Sequence, residues 1–150
     1  MKLIHTSDWH LGNSIHDIDR SPESQAFLDS LRAQIVESGA EALLVSGDVF
    51  DTVNPPSWAQ RQYYRFLASL QGTPCKNVVV TGGNHDSAAR LDAPKDVLDA
   101  LNVKVVGGLP RTEEELGSIV FELRGASGSV IAVCAAVPYV RESELRNLFG

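Results

Sequence analysis

The apolar positions of this chain fall into two periods. Short runs rich in β-branched residues occur at Leu3-Ile4-His5-Thr6, Ala42-Leu43-Leu44-Val45-Ser46 and Val78-Val79-Val80-Thr81, each followed at once by polar or glycine-containing sequence. Such runs read as buried strands. Between the first two, Ser21-Pro22-Glu23 offers a helix N-cap with proline at the first helical position. Phe27, Leu28, Leu31, Ile35 and Val36 then recur at helical spacing, and Gly39 is the stop. Pro55-Pro56-Ser57 leads into a second helix with Ala59, Tyr63, Phe66, Leu67 and Leu70 on one face and Gly72 at its end.

Strand, helix, strand, helix, strand at this spacing is two successive βαβ units, which require a parallel sheet with right-handed crossovers. A third helix is predicted from about Pro94 to Leu101 through Val97, Leu98 and Leu101, with Val103-Lys104-Val105-Val106 as the next strand. The character then changes. Ile119-Val120-Phe121-Glu122-Leu123 and Val130-Ile131-Ala132-Val133-Cys134, joined by Gly125-Ala126-Ser127-Gly128, predict a hairpin. The expected class is α/β, with a mixed sheet sandwich flanked by helices. Glu113-Glu114-Glu115 reads as a solvated turn or helix start, and no linker or internal repeat is visible.

Composition narrows the class. At 150 residues, 43% hydrophobic and 21% charged, the chain is long enough to own a core. No apolar run approaches the roughly 20 residues of a membrane-spanning helix. The first residues run straight into a strand with no apolar export segment, and Cys75 and Cys134 are too few for a disulfide framework or a zinc cluster. A cytoplasmic protein with reduced thiols is expected. The net charge of −6 and the scattered lysines and arginines show no basic patch, so a polyanionic substrate would need help from metal or from another chain.

Chemistry concentrates after the first three strands, at Asp8-Trp9-His10, Gly47-Asp48-Val49-Phe50-Asp51 and Gly83-Asn84-His85-Asp86. In an open parallel sheet the carboxyl ends of the strands share one edge, so three loops far apart in sequence converge on one crevice. One imidazole, two or three carboxylates and an amide carbonyl suit Mn, Fe, Zn or Mg, and the absence of thiolate argues against a structural zinc site. Asp8 and His10 can grip one ion as their strand ends, and Gly47 leaves Asp48 free to bridge two. Two cations about 3.5–4 Å apart can clamp a phosphate and acidify a water. Asn84 is a neutral ligand, His85 is placed to donate to a leaving oxygen, and Asp51 and Asp86 are placed to hold imidazole orientation.

Each motif alone has a plainer reading as a turn or a helix cap. Their recurrence at three successive strand ends does not. His5 reads as a packed core imidazole and His16 as a solvated loop residue; Trp9 and Trp58 could stack on a base, though covering core is the plainer use. Asn54-Pro55-Pro56 reads as a helix-start turn.

The series Asp8-x-His10, Gly47-Asp48-x-x-Asp51, Gly83-Asn84-His85-Asp86 resembles the calcineurin-like metallophosphoesterase superfamily. The surrounding His5 to Gly12 segment, Asp51-Thr52 with Pro55-Pro56, and Val137-Pro138-Tyr139 resemble its nuclease branch, which works with an ATPase partner in bacterial DNA repair. That resemblance implies that Asp8 and His10 hold one manganese ion, Asp48 bridges to a second held by Asn84, and His85, oriented by Asp51, assists phosphodiester cleavage. It also implies dimers through this domain. The family takes further histidine ligands from later strands, whereas no histidine follows His85 here. The expectation is therefore the N-terminal part of a phosphoesterase domain, residues 1–150, with weak metal binding and little activity by itself. Alternative functions are a metallophosphodiesterase acting on nucleotides or small diesters, and a non-catalytic scaffold or dimerisation module using apolar residues near Tyr63 and Phe66.

Overall fold

The computed structural model describes residues 1–16 and 18–149. The three apolar runs form β1 (Leu3–Thr6), β4 (Ala42–Ser46) and β5 (Asn77–Thr81), joined by β6 (Val103–Val106) in a parallel sheet of order β1-β4-β5-β6. The register pairs His5 with Leu44, Leu44 with Val79 and Val79 with Lys104. The crossovers are α1 (Ser21–Ser38) and α2 (Ser57–Ser69), and β7 (Val120–Arg124) and β8 (Val130–Ala135) form the predicted antiparallel hairpin as a separate two-stranded sheet.

The period of two sorts the strands into layers. Leu43, Val45, Val78, Val80, Val103 and Val105 face α1 and α2, where Leu28, Leu31, Ile35, Tyr63, Phe66 and Leu67 close the main core. Ala42, Val79 and Val106 point the other way and pack with Ile119, Leu123 and Ala136 from the hairpin layer. The parallel sheet is thus sandwiched between helices and hairpin. This matches the expected mixed architecture.

Several boundaries moved. Ser21 lies inside α1 rather than capping it: Arg20 is the N-cap without a side-chain bond, because the Asp19 carboxylate accepts from Ser21 N (2.8 Å) and Ser21 Oγ (2.9 Å) and starts the helix one residue early. Gly39 ends α1 in the left-handed conformation at φ 66°, as its lack of a β-carbon permits. The α2 helix stops at Leu70, before Gly72.

The helix predicted from about Pro94 to Leu101 is α4 (Lys95–Asp99), shorter at both ends and with Val97 71% exposed, and it is preceded by a short helix that the pattern did not predict, α3 (Ala88–Asp92). A small hairpin of β2 (Ser14–Ile15) and β3 (Ile18–Asp19) precedes α1, with exposed His16 in its turn. The three glutamates open a short 3-10 helix, Glu113–Ile119, and α5 (Glu142–Phe149) follows the hairpin.

His5 is not a core imidazole. It is exposed on edge strand β1, where an open cleft of about 340 Å³ separates that strand from β8, and its Nε2 pairs with Ser46 Oγ at 2.8 Å. Tyr63 and Phe66, 1% and 4% exposed, are core and offer no dimer surface. Among the described residues no helix is long and apolar enough to cross a membrane. Cys75 and Cys134 are free thiols, the first buried and the second half-buried.

Candidate metal centre

The loops after β1 and β4 run side by side and are zipped by backbone hydrogen bonds. Asp8 N donates to Gly47 O (3.1 Å), His10 N to Asp48 O (3.0 Å), Leu11 N to Val49 O (3.0 Å) and Asp51 N to Leu11 O (3.1 Å). The loop after β5 joins through Gly47 N, which donates to Thr81 O at 3.1 Å. The parallel ladder therefore continues past the strand ends, and this carries three distant motifs to one place.

The local backbone is bent to suit. Asp8, His10 and Asp48 adopt φ of 56°, 45° and 49°, a left-handed region that residues with a β-carbon seldom enter. Such strain persists where surrounding structure enforces it, and it concentrates at functional sites. Gly47 (φ 80°) precedes Asp48, and a β-carbon there would lie 3.0 Å from Gly83 Cα. Gly82 and Gly83 serve close approach rather than a left-handed turn: a β-carbon on Gly82 would overlap Gly107 O, and one on Gly83 would overlap the Asp48 carboxylate and amide.

Asp8 Oδ1 and Asp48 Oδ2 each lie 3.9 Å from His10 Nε2. These separations are too long for hydrogen bonds. All three donor atoms lie within 4.8 Å of one another, a grouping of oxygen and nitrogen donors able to close on one divalent ion. On the far side of the ring, buried Nδ1 sits 3.2 Å from Asp51 Oδ1 without an aligned hydrogen bond. A carboxylate behind a histidine is the usual means of fixing a ligating ring, so the donor set fits a hard or borderline cation.

Asp51 meets both histidines, by different atoms. Its carboxylate faces His10, while its backbone carbonyl receives His85 Nδ1 at 3.0 Å. The expected orientation of His85 by Asp51 is thus a main-chain contact. The two imidazoles meet edge to face, with ring centroids 5.1 Å apart. His85 N also donates to Asp48 Oδ1 (3.0 Å), which leaves Oδ2 turned to His10. His10, Asp51 and His85 form a second group of three donors within 4.8 Å of one another.

Asn84 is exposed and lines a cleft of about 300 Å³ with Asp48, Gly83, Pro138 and Tyr139. That cleft is held by Tyr139 N, which donates to Gly82 O at 2.8 Å. Asp86 holds no imidazole. It is 5% exposed, and its carboxylate accepts from Val49 N (3.1 Å), Phe50 N (2.9 Å) and Gly83 N (2.8 Å). It stitches the second loop to the third. Three converging N–H donors satisfy a buried carboxylate without a cation. Trp9, 8% exposed, packs edge-on to Phe27, Tyr63 and Phe66 and donates from Nε1 to Thr6 Oγ1 (3.0 Å), so it supports the Asp8 to His10 turn from beneath.

Sequence reasoning missed Arg90, whose Nε donates to Val53 O (3.2 Å) and Nη2 to Asn54 Oδ1 (2.9 Å) across the loop that carries Asp51.

The chain is 40% identical over 151 residues to the SbcD nuclease of Rhodobacter capsulatus, a component of SbcCD, covering 99% of this chain and 37% of that relative. It is 39% identical over 145 residues to the protein of the same name from Escherichia coli, covering 97% of this chain and 34% of the relative. The Bacillus subtilis counterpart is 34% identical over 150 residues, covering 100% and 37% respectively. This chain spans about a third of the length of these curated relatives. The profile of the family described as Calcineurin-like phosphoesterase matches residues 1–135, which include every ligand-type side chain placed above. Motif order, loop convergence and that match agree: the chain belongs to the calcineurin-like phosphoesterase family.

Proposed function

We propose that this chain is the N-terminal part of the catalytic domain of a metal-dependent DNA nuclease, acting at double-stranded ends or hairpins in DNA repair and recombination. The observation that carries this reading is the equal 3.9 Å spacing of the Asp8 and Asp48 carboxylates about His10 Nε2, at the meeting point of three loops. The 34–40% identity to nucleases over nearly the whole chain supports it. On the same reading the cellular setting is cytoplasmic. The partner is an SbcC-like ATPase, and the assembly is a homodimer of this protein within a heterotetramer.

In this reading Asp8, His10 and Asp48 would hold one cation, and Asp48 with Asn84 would hold a second. Bound manganese would neutralise the scissile phosphate and make hydroxide available near neutral pH. The protein's own contribution is placement. Asp51 Oδ1 steadies the His10 ring, and Asp86 locks the second loop to the third. The Asp51 carbonyl only accepts, so it keeps a proton on His85 Nδ1 and leaves Nε2 to face the leaving oxygen; His85 gives a proton there as the imidazolium, with both nitrogens protonated, and ends as the neutral Nδ1–H ring. The net charge of −6 is tolerable where cations and the ATPase carry the DNA.

The test is manganese-dependent cleavage of linear duplex DNA beside turnover of a chromogenic diester, with the protein at the length of its relatives and joined to its ATPase. DNA cleavage abolished by Asp48→Ala is expected. Diester turnover without DNA cleavage would overturn the assigned substrate.

A further inference from the structure

We infer that Arg90 is a positioning residue for His85, acting through the loop of residues 51–54. This rests on the catalytic role proposed for His85.

The loop has no regular structure, and Thr52, Val53 and Asn54 are exposed, with Val53 at 51%. Its first residue supplies the carbonyl that takes His85 Nδ1 (3.0 Å), so the ring can be no better placed than that carbonyl. On one side the loop is moored where Asp51 N donates to Leu11 O (3.1 Å). On the other it is moored by Arg90, whose Nε and Nη2 hold Val53 O (3.2 Å) and Asn54 Oδ1 (2.9 Å) in a two-pronged grip.

Both contacts on the His85 side come from one short segment. His85 reaches the loop at residue 51, and Arg90, five residues later, reaches it at 53 and 54. Ser87 sets that spacing: it caps α3 and accepts from Arg90 N through its side chain (3.4 Å) and its carbonyl (3.0 Å). Arginine suits the task because its fork carries several donors in fixed geometry and stays charged at all working pH. The two hydrogen bonds are charge-assisted, hence stronger than a neutral side chain could make.

Arg90 fixes the carbonyl, and the carbonyl, by holding Nδ1–H, fixes both the ring orientation that turns Nε2 to the site and the tautomer of the neutral ring. The experiment is ring-nitrogen NMR of His85 in the 150-residue chain, without metal, at a mildly alkaline pH where the spectra show the ring neutral. The wild type should show one tautomer with the proton on Nδ1. Arg90→Ala should show a mixture, with exchange of the Asp51 amide about tenfold faster. Arg90→Lys, which keeps charge and one prong, should fall between, and Asn54→Ala should move the same signals less than Arg90→Ala. Arg90 and Asn54 are exposed, and Asn54→Ala leaves α3 intact, so at least one variant keeps the fold.

Unchanged His85 signals in Arg90→Ala, or in Asn54→Ala should Arg90→Ala unfold, would overturn the inference. Manganese binding judges the proposed function separately: a chain that binds no manganese yet shows the tautomer shift would sink the nuclease reading and keep the tether.

Discussion

Gly83 packs its α-carbon so closely against Asp48 that a β-carbon there would overlap both the carboxylate and the backbone amide of Asp48. The third loop thereby forms one wall of the pocket that aims Asp48 Oδ2 at His10. Gly83→Ala should move the carboxylate and weaken manganese binding roughly 10–100-fold, as is common when the support of a ligand is altered. Gly117→Ala, where a β-carbon meets open space, is the control and should change nothing. Titration of both variants with manganese checks this.

Asp86 is expected to matter for stability first. Removing this buried carboxylate strands two buried N–H donors, Val49 N and Phe50 N, and the half-buried Gly83 N. Asp86→Ala should cost about 3–5 kcal/mol, read as a lower urea midpoint, and should release the second loop from the third. A loss below about 1 kcal/mol would mean that the loops hold together without it.

Tyr63 gives the opposite expectation. Its hydroxyl is buried with no hydrogen-bond partner among the described residues, and burial pushes its ionisation far above the usual tyrosine range. Tyr63→Phe removes an unsatisfied group and keeps the ring contacts to Trp9 and Phe50, so stability should stay level or rise by about 1 kcal/mol. Trp9→Ala, in the same aromatic cluster, should lose about 3–5 kcal/mol. Thermal melts of the two variants separate these outcomes.

Burial pushes the Cys75 thiol up to about 11 from its ordinary 9.0. The fold therefore favours the protonated form. The stability this contributes is complete below the ordinary value and is lost as pH rises toward the raised one. Urea midpoints should fall between about pH 9 and about pH 11 by more in the wild type than in Cys75→Ala. Equal slopes would place the thiol in water.

The parts of the fold legible in the sequence were those written as periodicity. The apolar runs at 42–46 and 78–81 read as buried strands, and the Asp8, Asp48 and Asn84 loops follow such runs directly. What escaped was set by partners far away in the chain. Ser87 to Asp92 contains one buried apolar residue, Leu91, so α3 carried no periodic signal. His5 sits in a strand like any core residue, and only the position of the hairpin decides that its face is open. Asp86 follows the Gly83-Asn84-His85 motif as a ligand would, yet its carboxylate points back to amides of the second loop. The two uses of Asp51, by carboxylate and by carbonyl, differ in a backbone direction that spacing does not encode.

In the proposed site the loops after β1 and β4 share a cation through Asp8, His10 and Asp48. Electron paramagnetic resonance of manganese titrated into the 150-residue chain tests it directly. Weak, saturable binding is expected, which Asp8→Ala, His10→Ala and Asp48→Ala each remove while Asp86→Asn retains part of it. Binding left intact by Asp48→Ala, or no saturable binding by the folded wild type, would contradict it.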